Sequence, residues 1–432
     1  MSTAILAVVK QENTMTRNKK TGIFTGTVLG LAVAISPFTY ADNHPIRIAY
    51  IEPLSGPFAN VGDAGLKHFR FAAEKINEDG GIMGRDVEIV AMDNKQSPSE
   101  SVQLVQRAVD DGIPFVTQGN GSNVAGAMVE AVDRNNRRNS DNKVLYLNYA
   151  AVDPALTNER CSFYHFRFDA SSAIKLEALT NYMKTKDDAI DDIFLINMDY
   201  SHGQFISKRM KELVGEKNLD AEIVGDVLHP IGQVRDFAPY VSRIQQSGAD
   251  TVISGNWGND LSLLVRAIDS AGVDVNIYTY YGGGLGTPAA VGPSGEDKLY
   301  QISEWHADVN VDEGHTEYEK WFQEFKSRYP EIDWYYHRIY NQMHMLKNAV
   351  EKAGSTDSDA VAKALEGMTF QSQTGQITMR AKDHQILQPM YISIMDTDAK
   401  YDADNSGVGF RTIAKIPVEQ ATDETSCNMK RP

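Results

Sequence analysis

From Ile46 onward the apolar positions switch repeatedly between a period of two and a helical period. IRIAYIEPL (46 to 54) is a β-rich run closed by Pro and Gly. DAGLKHFRFAAEKINEDGG (63 to 81) carries apolar residues at helical spacing as far as the Gly80-Gly81 terminator. DVEIVAMDN (86 to 94) predicts a second strand, and SPSESVQLVQRAVDDG (97 to 112) a helix whose Ser-Pro-Ser-Glu opening supplies a cap, a first-position Pro and a first-turn acid. IPFVTQ (113 to 118), NVAGAMVEAVDRNN (123 to 136) and VLYLNYA (144 to 150) continue as strand, helix and strand. The series is βαβ, which implies a parallel doubly wound sheet.

The pattern then restarts. Strand-like runs at 191 to 203, 221 to 230, 250 to 258 and 275 to 283 alternate with helix-like runs at 203 to 218, 236 to 248 and 259 to 272, without any residue-level repeat. Two α/β lobes of one kind are expected. Beyond them the order changes to helices at 316 to 330, 334 to 355 and 358 to 367, and a β-hairpin over 374 to 396 with Lys382-Asp383 at its turn. Helices that return to the first lobe, followed by a hairpin that crosses to the second, make each lobe discontinuous. The expected division is 42–166 with 306–388 for the N-terminal lobe and 167–305 with 389–432 for the C-terminal lobe, joined by a multi-strand hinge.

Composition agrees with a large globular chain: 432 residues, 42% hydrophobic and 23% charged, enough for about two to three domains. The net charge of −16 is spread along the chain, which makes nucleic acid and anionic lipid poor partners. The N-terminus has its own logic. TRNKK (16 to 20) is basic, GIFTGTVLGLAVAISPF (22 to 38) is apolar, and TYA ends at Ala41, the order of a secretory signal cleaved before Asp42. Met15 is a plausible start for it, and an uncleaved membrane anchor is the rival reading. Secretion predicts a periplasmic protein, where the only two cysteines, Cys161 and Cys427, either pair or stay as isolated thiols.

Candidate chemistry concentrates at strand ends. FVTQGNGSNVAGAM (115 to 128) approaches a dinucleotide fingerprint, but it follows the third strand and has Val124 where the third glycine belongs. It does offer Gly121 and Ser122 at a helix N-terminus. There the orphan amides suit a single carboxylate, or Ser122 simply caps its own helix. NYAAVDPALT (148 to 157) places the small Ala150 and Ala151 at a fourth strand end, for a ligand or for tight packing. Tyr200, His202, Trp257, Tyr280 and Tyr281 sit at strand ends of the second lobe, as a stacking wall or as core and rim. No Gly-x-Ser-x-Gly, His-Glu-x-x-His or Cys-x-x-Cys occurs, so neither an enzyme nor a metal or other cofactor has support.

The secretion signal, the run from Ile46 to Gly112, NYAAVDPALT and AVEKAGSTDSDAVAKALEG together resemble the leucine/isoleucine/valine-binding branch of the type I periplasmic binding proteins. The Ser-Gly-Pro…Gly-Asp stretch (55 to 63) with Gly80-Gly81-Ile82 and Gly84 is the most specific part. The resemblance implies a monomer that captures a small solute between its lobes and hands it to ABC permease membrane subunits. It implies that Ser122, preceded by Gly121, holds the ligand carboxylate and that Ala150 offers a carbonyl to the ligand amine. Val152 stands where the family has Thr, and Val61 where it has an aromatic. The family's ligand-facing tyrosines fall near His202 and Trp257, and its ammonium-binding acid falls near Tyr281 or Gly282, where no acid exists. Unless Asp153, Asp199 or Asp260 replaces that acid, a buried ammonium is poorly served. The expected ligand is therefore a carboxylate with an apolar or aromatic body, ahead of a branched-chain amino acid. A receptor-linked sensor and an amide- or urea-type solute binder are the alternatives.

Overall fold

The computed structural model describes residues 44–185, 190–284, 286–312, 314 and 316–432. The expected signal segment, 1–41, lies outside them. Five strands, β1 (Ile46–Glu52), β2 (Val87–Asp93), β3 (Phe115–Gln118), β4 (Leu145–Asn148) and β5 (His165–Arg167), form an all-parallel sheet in the order β2-β1-β3-β4-β5. The crossovers are α1 (Ala59–Glu78), α2 (Pro98–Asp110) and α3 (Ser122–Arg138). The centre of β1, Ile48 to Ile51, is buried on both faces, as a strand covered by helices must be. α1 starts four residues before the expected position, because the turn at Gly56 lets the Ala59 amide bond back to its carbonyl.

After α4 (Ser172–Met183) the same winding recurs. β6 (Asp192–Met198), β7 (Glu222–His229), β8 (Thr251–Ile253), β9 (Asn276–Thr279) and β10 (Leu299–Ser303) run parallel in the order β7-β6-β8-β9-β10, which repeats the order of the first sheet. Their helices are α5 (Ser201–Glu216), α6 (Ala238–Ser247), α7 (Gly258–Ser270) and the short α8 (Thr287–Val291). Leu261, Leu264, Val265 and Ile268 of α7 recur at i, i+3, i+4 and i+7 and are buried together against this sheet.

The chain then turns back through α9 (Val309–Asp312), α10 (Thr316–Arg328), α11 (His337–Ala353) and α12 (Ser358–Leu365). α11 packs on the first sheet's side, where Gln342 Nε2 donates to Thr117 Oγ1 of β3 at 3.0 Å. β11 (Thr369–Ser372), β12 (Gly375–Met379) and β13 (Ile386–Leu387) make a small antiparallel sheet. The expected single hairpin over 374 to 396 is thereby split. Its first half pairs locally, whereas β14 (Met390–Asp396) leaves after Pro389 to join β10 antiparallel, with β15 (Gly409–Ile416) beyond it.

The chain thus passes between the two large sheets after β5, after β10 and between β13 and β14. Gln385 Nε2, just before the third passage, donates to the Asp169 carbonyl in the first at 2.8 Å. Cys161 and Cys427 are joined as a disulfide, with Cα atoms 5.8 Å apart. The final residues differ from the expected grouping of 389–432 with the second sheet. Thr425 Oγ1 donates to the Thr157 carbonyl and Arg431 Nε to Glu366, so the last segment is fastened beside the first sheet.

Candidate functional site

In an open sheet wound 2-1-3-4-5, the loops after strands one and three leave in opposite directions and open a crevice at the strands' carboxyl ends. Here residues at the carboxyl ends of two such sheets line one cavity. The first contributes Gly119, Asn120, Gly121 and Ser122 after β3, and Ala150 and Val152 after β4. From the second come Tyr200 after β6, Trp257 after β8 and Tyr281 after β9. Tyr336 and Arg338, at the start of α11, complete the lining.

Of the expected site residues, Gly121, Ser122, Ala150, Val152, Tyr200, Trp257 and Tyr281 reach the cavity, and Ala151, His202 and Tyr280 do not. Ala151 is held in a tight turn, its amide and carbonyl both bonded to the Asn148 side chain. His202 is buried behind the wall, with Nδ1 2.6 Å from Ser172 Oγ. Burial, with Lys175 nearby, pushes its imidazole down to about 3, so it is a neutral packing group. None of Asp153, Asp199 and Asp260 lines the cavity. Asp153 accepts from the Ala155 amide, Asp199 from Gln204 and Asp260 from the Gly232 amide.

The capping expectation for Ser122 is also revised. Gly121 occupies the cap position at φ 92°, a region that disfavours side chains, and a Cβ there would overlap Gln96 Nε2. Ser122 is the first helical residue, and its Oγ accepts the Asp153 amide at 3.2 Å. Accepting that bond leaves its own proton free to be donated to a different acceptor. The loop before it is held from below by Glu52, whose Oε1 accepts the amides of Gly119 (2.6 Å) and Asn120 (3.1 Å). Burial raises the Glu52 carboxyl to about 7 despite these bonds. On the other wall, Trp257 Nε1 donates to Tyr200 Oη at 2.9 Å, and its ring lies 4.5 Å from that of Phe58.

A family model described as "Periplasmic binding protein" matches residues 45–400. The chain belongs to the periplasmic binding protein family. A relative from Brucella abortus, "Leu/Ile/Val-binding protein homolog 4", is 31% identical over 408 residues, covering 93% of this chain and 96% of the relative. The closed form of a leucine-, isoleucine-, valine-, threonine- and alanine-binding protein from Brucella ovis superposes with a TM-score of 0.79 at 29% identity, over 90% of this chain and all of that one. A solute-binding protein from R. palustris in complex with benzoate has the same fold, at TM-score 0.74 and 18% identity over 89% of this chain and 99% of that one.

At the cavity of this periplasmic binding protein, with Arg338 in the lining and the other three not, are four charges that the strand-end pattern did not disclose. Asp169 follows β5, Lys175 is in α4, Glu304 follows β10 and Arg338 opens α11. Lys175 Nζ is 2.9 Å from Asp169, and Arg338 Nη1 is 2.6 Å from Glu304, while Arg338 Nε stands 3.6 Å from Asp169. All four are buried. Burial works against the first pair, raising Asp169 and lowering Lys175. For Glu304 burial is outweighed by Arg338 and Lys175, which hold it below the usual carboxylate range. Two cations face two anions, so the set is neutral by itself.

Proposed function

We propose that this protein is the solute-binding component of an ABC importer, capturing a small carboxylate-bearing solute with an apolar or aromatic body in the cavity between its two sheets. The observation that carries the reading is the pairing of two kinds of wall there. One is the start of α3, with the Ser122 hydroxyl and first-turn amides, a setting that favours an anion. The other is the aromatic set Tyr200, Trp257, Tyr281 and Tyr336, which suits a flat or apolar body. Closure of residues 42–166 with 306–388 against 167–305 with 389–424 buries the solute, and the closed form is favoured by whatever it binds more tightly. The protein acts as a periplasmic monomer after signal cleavage, delivers to permease membrane subunits, and turns nothing over.

The names of the Brucella relatives support a second reading, a branched-chain amino acid, in which an ammonium must be accommodated. Titration calorimetry separates the two. Aromatic and apolar carboxylates are expected to bind, and Ser122→Ala to weaken them by about 10- to 100-fold, the scale of one charge-assisted hydrogen bond of roughly 1.5–3 kcal/mol. Tight leucine binding with no heat from aromatic carboxylates sinks the first reading. Mass spectrometry of any solute retained through purification identifies the natural one.

A further inference from the structure

The family resemblance leads one to expect an acid near Tyr281 or Gly282, but the cavity lining holds no acid and does hold a cation, Arg338. Arg338 is 2% exposed and lines the cavity, yet only Nη1 of its guanidinium has a hydrogen-bond acceptor. Its Nη2 is buried with none among the described residues, its Nε meets only the Asp169 carboxylate at 3.6 Å, beyond hydrogen-bond distance, and the hydroxyl of its cavity neighbour Tyr336 is likewise without a partner among the described residues. Buried donors left without acceptors are costly, and those of a guanidinium especially so. The aromatic faces around it fix the plane of the group: its central carbon lies 4.8 Å from the Tyr336 ring centroid, 5.4 Å from Tyr335 and 5.9 Å from Tyr281. A planar fork in a fixed plane with donors unused is built to recognise an oxygen acceptor.

The acids nearby do not offset this for an ammonium ligand. Glu304 is engaged by Arg338 and Asp169 by Lys175, so the four-charge set has no anion in excess. An ammonium brought into the cavity meets Arg338 with no compensating carboxylate in the lining.

We propose that Arg338, with the Tyr336 hydroxyl, is the specificity-determining pair of this cavity, and that the solute is an acid carrying a second oxygen acceptor, a carboxylate or a hydroxyl, in place of an ammonium. The inference rests on the proposed carboxylate-binding function and narrows its ligand class. Arg338 then has two tasks: it neutralises Glu304 in the empty protein, and it presents its remaining donors to the far group of the bound acid.

The test is a matched ligand series measured by titration calorimetry on the full mature chain. Benzoate, 4-hydroxybenzoate, terephthalate and 4-(aminomethyl)benzoate differ only at one end. Hexanoate, adipate and 6-aminohexanoate form the aliphatic counterpart. The inference expects the hydroxyl or carboxylate member to bind at least ten times more tightly than the unsubstituted acid, and the ammonium member to be the weakest. Terephthalate or adipate leading identifies a dicarboxylate, and 4-hydroxybenzoate leading a hydroxy acid. Arg338→Lys keeps the charge opposite Glu304 but lacks the fork, and it should compress the series to within about threefold. Because that variant stands in a buried charge set and can fail to fold, Tyr336→Phe, which removes only the hydroxyl, is run beside it and should cost the favoured member several-fold while sparing the unsubstituted acid. Equal affinities along a series that does bind, or an ammonium member that binds best, overturns the inference and leaves the carboxylate reading standing. Failure of every member to bind, with leucine binding instead, overturns the carboxylate reading itself.

Discussion

Glu52 shows how a single side chain supports the cavity without touching it. It is wholly buried at the end of β1 and accepts the two amides that shape the Gly119-Asn120 turn. Its carboxyl is raised from an ordinary value of 4.5 to about 7, so the folded protein holds a proton that the unfolded chain releases. The favourable contribution is complete below pH 4.5 and is lost as pH rises to about 7, with a total of about 3 kcal/mol for a shift of this size. Glu52→Gln keeps an acceptor for both amides and removes the titration. Melting temperatures followed from pH 4.5 to 7.5 should fall for the wild type relative to the variant, and parallel curves would contradict this account. At this scale the sequence was partly legible. Ser122, Tyr200, Trp257 and Tyr281 stand next to strand ends and could be found by position. Arg338 and Tyr336 could not, because WYYHRIY (334 to 340) reads as a helix face and its one arginine looks like a solvated break in it. The only local hint was a permanent charge inside an aromatic run. Glu304 and Asp169 are far away in sequence, and no periodicity pairs them with it.

Among the elements, those with complete local signals appear as expected and those that depend on distant partners do not. Ser97 caps α2, accepting the Glu100 amide at 3.3 Å, with Pro98 in the first helical position, as the Ser-Pro-Ser-Glu stretch predicts. Ser97→Ala should therefore cost about 1 kcal/mol, read as a lower urea midpoint with an unchanged slope. A slope that changes as well would mean that the cap does more than hold one helix end. The helix expected from 334 begins instead at His337, since the Tyr335 amide is drawn out to the His68 ring nitrogen at 2.9 Å. β10 and β15 gave no clear reading at all. β10 pairs with β9 on one side and with the remote β14 on the other, and β15 pairs only with β14, which leaves its expected hairpin to lie between them. Alternation along a chain reports which residues face inward, and it carries no information about which strand lies alongside.

For the whole molecule, the repeated winding order was foreseeable from the alternation, whereas the way the chain closes on itself was not. Contacts reach directly across the cleft: Phe58 packs on Trp257, and Asn259 Nδ2 lies 3.4 Å from the Pro57 carbonyl. The bridge between Cys161 and Cys427 spans a sequence separation of 266 and lines no part of the cavity. Reduction is expected to lower unfolding stability by about 2–5 kcal/mol, seen as an earlier thermal transition, while solute affinity of the folded protein stays the same. That bridge also makes most of the described chain a closed covalent ring, with β6 to β15 all inside it. A protease that cuts this ring once yields no separable fragments. The nicked protein should migrate as one species on a non-reducing gel and as two only after thiol is added, so digestion in an oxidising medium would go undetected until the second cut.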